Sequence, residues 1–171
     1  MLSRLTHSAT LIRVQSWDRQ GGAPQRAAQL LGIAWPLEAG TVASGRAEVI
    51  CVGPTDWLVL SKSEASPDAE LLAALEEQLR GSSFRATDLS SGFARIRIEG
   101  PDAQGLLSKA CALDVHSGAL RSGRAPRTLV AGLPVVIRCL GPLTFECLVS
   151  LSYAEYLQAW LRDAALEFGA S

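Results

Sequence analysis

From Ala94 to Glu99 apolar and polar residues alternate. Ala94, Ile96 and Ile98 share one face and Arg95, Arg97 and Glu99 the other, which is the period of a half-buried strand. Asp88-Leu89-Ser90-Ser91-Gly92 before it is turn chemistry, because short oxygen-bearing side chains bond nearby backbone. After Gly100, Pro101 presets φ for a first helical turn and Asp102 suits the positive end of a helix dipole, so a helix is predicted that carries Leu106 and Leu107 inward.

The same reading along the rest of the chain predicts a strand at Thr10–Gln15, a Gly21-Gly22 break and a helix from Pro24 to Leu31 closed by Gly32. Glu38 to Gly45 reads as loop. Ala47–Val52 and Trp57–Ser61 read as strands joined by Gly53-Pro54-Thr55-Asp56, with Trp57 in the core. Ser66 as N-cap, Pro67 at the first helical position and Gly81 past the end bracket a helix whose Leu71, Leu72, Leu75 and Leu79 fall on one face. Phe84–Leu89 leads back to the turn at Asp88, and Ala110–Arg127 is punctuated by Gly118, Gly123 and Pro126 as a loop-rich stretch.

In the last third, Thr128–Ala131 and Pro134–Leu140 flank Gly132-Leu133 as a hairpin, and Gly141-Pro142 turns the chain into a strand at Thr144–Ser150. Four strands are therefore expected in this half. Ser152 and Glu155 have capping-box spacing, Leu151 is placed to staple onto Tyr156, and Tyr153, Leu157, Trp160, Leu161, Ala164 and Phe168 recur at helical spacing up to Gly169. The Tyr153 and Trp160 stripe is read as core.

A self-similarity follows. Cys51-Val52-Gly53-Pro54, a strand and a helix ending at Gly81 match Cys139-Leu140-Gly141-Pro142, a strand and a helix ending at Gly169, and both ends are offset by 88 residues. The pattern predicts one α+β domain over 1–171 made of two pseudo-repeats, about 10–82 and 84–169, each a β-rich unit with a covering helix.

Composition narrows the function. A chain of 171 residues buries about 70% of its unfolded surface, and 48% hydrophobic with 19% charged residues is globular rather than disordered. The formal charge of −1 lacks the footprint of a nucleic-acid binder. No segment approaches the ~18 apolar residues of a membrane span, and no signal-like run precedes Arg13, so a cytoplasmic protein without membrane contact is expected. Cys51, Cys111, Cys139 and Cys147 form no Cys-x-x-Cys pair, and His7 and His116 lie outside ligand spacing, so buried, inert thiols are expected rather than a metal site.

No nucleophile elbow, phosphate-binding glycine loop or dinucleotide fingerprint occurs. Asp88 and Asp114 are candidate carboxylates for a base or amine ligand if buried; alternatively, each bonds backbone amides of its own turn. Arg95 and Arg97 have three readings: a surface for a protein partner, a solvated face, or a clamp for a ligand carboxylate. With Phe93 they are the candidate subunit-interface residues, since aromatics and arginine are enriched in interface cores. No catalytic, cofactor-binding or metal-ligating residue is singled out.

The order Asp-x-Ser at 88–90, amphipathic strand, Gly100-Pro101-Asp102-Ala103 and a Leu-Leu helix resembles the folate-binding domain of the glycine cleavage T protein and its relatives. Gly53–Leu60, Leu31–Pro36, Leu113-Asp114, Gly123-Arg124 and the ending from Ser152-Tyr153 to Glu167-Phe168-Gly169 are similar, more narrowly, to the gamma subunits of heterotetrameric sarcosine oxidases. The likeness runs from about Leu30 to Gly169. It implies a folate-binding-domain-like α+β fold of duplicated β-α units. It further implies a non-catalytic assembly subunit in a complex that oxidatively demethylates sarcosine to glycine, with alpha, beta and delta subunits as partners. FAD, FMN, NAD and tetrahydrofolate are then expected on those partners and none on this chain. Two alternatives stay open: a stand-alone tetrahydrofolate-binding or aminomethyltransferase-like protein, and the equivalent subunit of another N-methyl-amine oxidase or dehydrogenase.

Overall fold

The structure is a computed structural model that describes residues 2–7, 10–17, 22–62, 68–116 and 120–168. Along the chain run β1 (Leu2–His7), β2 (Leu11–Ser16), α1 (Gly22–Leu31), β3 (Val42–Ser44), β4 (Ala47–Gly53), β5 (Asp56–Ser61) and α2 (Ala69–Leu79). Then follow β6 (Phe84–Asp88), β7 (Phe93–Glu99), α3 (Ala103–Ala110), β8 (Arg127–Val130), β9 (Leu133–Gly141), β10 (Thr144–Ser150) and α4 (Ala154–Ala165). They divide into two compact units, Ser8–Ser91 and Met1–His7 with Gly92–Ser171.

The unit Ser8–Ser91 holds a sheet of order β3-β4-β5-β2-β6, every neighbour antiparallel. On one face Ile12, Val59 and Val49 lie in register, and Val14, Trp57 and Cys51 form the next row. The rows pack with Ala27 and Leu31 of α1 and Leu71, Leu75 and Leu79 of α2, and Leu72 is partly buried beside them. Trp57 is fully buried, as predicted, and its Nε1 donates to the Pro36 carbonyl at 2.7 Å. α1 starts at Gly22, two residues before its predicted start, and closes at Gly32 with φ +66°. Asp68 caps α2 by accepting from the Leu71 amide at 3.0 Å; the predicted cap Ser66 and Pro67 lie outside the described residues. The loop expected over Glu38–Gly45 contains β3, an edge strand of three residues and so too short to show a period.

The unit Met1–His7 with Gly92–Ser171 holds a sheet of order β1-β7-β10-β9-β8, again antiparallel throughout. Ile96, Cys147 and Ile137 form one row and Ile98, Phe145 and Cys139 the next. These pack with Leu106 and Leu107 of α3 and Leu157 and Leu161 of α4. Where four strands were expected there are five. The fifth is β1, whose sequence alternates too weakly to announce a strand and whose partner β7 is about ninety residues away in the chain.

Three local expectations are corrected. Leu151–Tyr153 forms a 3-10 turn, so Tyr153 and not Ser152 stands at the N-cap of α4, without a side-chain bond, and no capping box forms. Leu151 and Tyr156 stay exposed, which rules out a buried staple between them, and Tyr153 is exposed rather than core. Trp160 does pack on the core edge. α4 passes into a 3-10 turn at Leu166–Phe168; the predicted stop at Gly169 lies outside the described residues.

Each unit carries the same small device. Cys51 Sγ lies 3.3 Å from the Gly53 carbonyl, and Cys139 Sγ lies 3.4 Å from the Gly141 carbonyl. Both pairs sit where a strand turns into a hairpin at Gly-Pro, and in both the adjoining register shifts.

Candidate functional site

The central strands are buried on both faces, not one. Phe145 to Val149 of β10 and Val135 to Cys139 of β9 are buried without a break. The face of β7 opposite its apolar core is therefore covered at Arg95 and open to solvent only in part, at Arg97 and Glu99. On that face Arg95, Leu148 and Val136 form one cross-strand row, and Arg97, Glu146 and Arg138 the next.

Charge collects in the second row. Glu146 has 1% of its side chain exposed; its Oε1 accepts from Arg95 Nε at 3.0 Å and lies 2.9 Å from Arg95 Nη2. Its Oε2 accepts from Arg138 Nη1 at 2.6 Å. Arg97, directly opposite in register, holds Nη2 3.9 Å from Oε1 and also lies 3.9 Å from Glu99. Buried alone, Glu146, Arg95 or Arg138 would carry a large desolvation cost, which charge-assisted bonds in low dielectric offset in part. The guanidinium of Arg95 is used inside the chain and only 8% of the residue is exposed. Arg97 keeps about a third of its side chain exposed, and Phe93 is half-buried at the strand's start. Neither Glu146 nor Arg138 is among the residues the pattern singles out. Their signal was present: each is the one charge inside an apolar run, Val135 to Leu140 and Phe145 to Val149.

The other candidates are placed apart from this row. Asp88 is exposed, and its Oδ1 accepts from the Ser90 amide at 2.8 Å and from the Ser90 hydroxyl. Ser90 Oγ in turn accepts from the Leu11 amide at 3.0 Å. Asp114, also exposed, accepts from the His116 amide at 2.9 Å. Both carboxylates thus close turns. Neither is the buried, desolvated acid that base or amine-ligand chemistry requires. The four cysteines are buried and none forms a disulfide. Burial above all, with Cys111 and Glu146 nearby, pushes the Cys147 thiol up to about 12, so it is protonated and unreactive at neutral pH. Among the described residues no three His, Cys, Asp or Glu gather as metal ligands, and no helix is long and apolar enough to cross a membrane.

A second ion pair bridges β2 and β5. Arg13 donates from Nε and Nη2 to the two carboxylate oxygens of Asp56 at 2.8 and 2.7 Å, a bidentate geometry that raises the arginine pKa chiefly through that hydrogen bond.

The fold is α+β and is shared with glycine cleavage system aminomethyltransferase T from Bartonella henselae, which superposes with a TM-score of 0.67 over 93% of this chain and 45% of that one, at 16% identity. The family model described as "Sarcosine oxidase, gamma subunit family" matches residues 21–167, and the chain belongs to that family. The sarcosine oxidase subunit gamma of Corynebacterium sp. (strain P-1) is 31% identical over 94% of this chain and 77% of its own length, and that of an Arthrobacter species is 32% identical over the same shares. A chain of the heterotetrameric sarcosine oxidase from Corynebacterium sp. U-96 superposes with a TM-score of 0.89 over 99% of this chain and 86% of that one, at 26% identity.

Proposed function

We propose that this chain is the non-catalytic assembly subunit of a heterotetrameric sarcosine oxidase, a complex that oxidatively demethylates sarcosine to glycine. The observation that carries the reading is the superposition of nearly the whole chain, at a TM-score of 0.89, on one chain of such a heterotetramer. The partners are its alpha, beta and delta subunits, and FAD, FMN, NAD and tetrahydrofolate sit on them. Support for a role without chemistry comes from the placement of this chain's own groups. Its two family-motif carboxylates are spent on turns, and its most buried carboxylate is spent on arginines.

Within that role, Phe93 and Arg97 are the accessible members of the candidate contact, and Arg95 acts by holding the sheet through Glu146. We also propose that the two units descend from one duplicated β-α unit, a reading supported by the matched Cys-to-Gly contacts 88 residues apart.

The test is expression of the complex with and without this chain. Loss of the assembled oxidase on deletion supports the reading, and an oxidase of unchanged yield and stability without the chain overturns it. Tight tetrahydrofolate binding by the chain alone would favour the transferase-like alternative.

A further inference from the structure

The unit Ser8–Ser91 carries an open groove of about 750 Å³ between α1 and the strap that follows it, Gly32 to Leu37. Gln25, Ala28 and Gln29 form the helix wall, and Ile33, Trp35 and Leu37 form the other. Not one of the nine lining residues is charged, in a chain where 19% are. Leu37 is 55% exposed at the rim, an apolar side chain of a kind usually covered when it borders an apolar depression. The floor is firm, because Trp35 packs on the fully buried Trp57 with ring centroids 5.6 Å apart. One polar atom is left over. Among the described residues the buried Nε1 of Trp35 has no hydrogen-bond partner, a state that tends to be relieved when an acceptor arrives.

The geometry points to this groove as a docking site for an uncharged, apolar segment of a partner subunit of the oxidase. The inference rests on the subunit reading above. Three features select that occupant. The absence of charge matches an apolar segment and disfavours an acidic or basic one, which would lose its hydration without gaining an ion pair. Gln25 and Gln29, one helical turn apart on the exposed side of α1, offer amide donors and acceptors to a main chain lying along the helix. The third is the Trp35 indole, whose Nε1 is buried beside the groove without a partner; a small turn of the ring lets it donate to a carbonyl of the same segment. Aromatic walls with flanking amides are a recurring way of holding extended peptide.

The experiment is co-purification of the oxidase through this chain, with Gln29→Glu and Leu37→Asp introduced together at exposed positions that are not core. Dilution of the purified complexes on a sizing column reads the apparent affinity. The charged pair weakens retention of the partner subunits by about tenfold or more, as loss of an interface hot spot does. The conservative pair Gln29→Asn and Leu37→Met keeps it, and circular dichroism of each full chain shows unchanged folding. Tyr156→Asp, on the exposed side of α4, serves as the comparison for a charge placed elsewhere. Retention equal to wild type in the charged pair overturns the groove and leaves the subunit reading standing. A wild-type chain that retains no oxidase subunits overturns both.

Discussion

Arg138 and Glu146 sit directly opposite each other on β9 and β10, 2.6 Å apart, with 5% and 1% of their side chains exposed. Arg95 reaches the other oxygen of the same carboxylate from β7. Three strands are thus joined through one acid, and removing the acid leaves two guanidinium groups in a buried setting. Glu146→Ala should cost about 3–5 kcal/mol of folding stability, read as a lowered urea midpoint. Replacing the three together, Arg95→Met, Glu146→Leu and Arg138→Met, should cost far less or stabilise the chain, because the desolvation penalty is removed along with the attraction. If the triple variant is as unstable as Glu146→Ala, the burial account of this row is wrong.

Ala131 turns the β8–β9 hairpin at φ +51°, followed by Gly132 at φ +79°. Two positive φ angles in succession mark a type I′ loop, which suits Asn-Gly or Gly-Gly and penalises a side chain at the first position. Ala131→Gly should raise stability by about 0.5–1 kcal/mol, and Ala131→Val should lower it by about 1 kcal/mol or more. Thermal melts of the two variants should move in opposite directions from wild type.

Gly45 is required for close approach. A Cβ there would stand 2.1 Å from the Leu31 carbonyl oxygen and 2.7 Å from Ile33 Cγ2. That carbonyl already accepts from the Arg46 amide at 2.9 Å, so it has little freedom to retreat. Gly45→Ala should destabilise by about 2 kcal/mol or more, whereas Gly92→Ala, with open space around the new methyl, should not. Denaturant midpoints of the two variants decide it.

Cys147 ties stability to alkaline pH. Its thiol is raised from the ordinary value of 9.0 to about 12 in the folded chain, mainly by burial. Between those values the unfolded chain has lost a proton that the folded chain keeps, so stability should fall as pH rises through that window, by at most about 1.4 kcal/mol per pH unit. The effect fades below about pH 8, where the unfolded thiol is protonated too. Cys147→Ala should flatten the difference, so wild-type and variant stability curves that run parallel from pH 9 to 12 would contradict it. At pH 8 the folded chain should also resist alkylation at Cys147 until denaturant is added.

Elements whose side chains all obey one period were legible from the residues alone. The strand at Thr144–Ser150, the α2 leucine face and the buried Trp57 depend on local spacing and turn chemistry, which neighbours in the chain suffice to specify. The β8–β9 hairpin was legible in the same way, but it turns at Ala131-Gly132, one residue before the expected Gly132-Leu133. The family likeness was legible too, because it rests on the order of such local motifs. What stayed hidden depends on who lies across the sheet. β1 is a strand because β7 offers it an edge, and nothing in its six residues says so. Ser152 has capping-box spacing yet lies within a 3-10 turn, because β10 runs to Ser150 and delays the helix. Arg95 and Arg97 look alike along the strand, and the register sets Arg97 opposite Glu146, yet Arg95, one pair along on the same face, is the buried partner and Arg97 stays at the margin. Periodicity reports which side of a strand a residue takes, whereas burial and pairing belong to whatever covers that side, and that is decided by contacts between residues far apart in sequence.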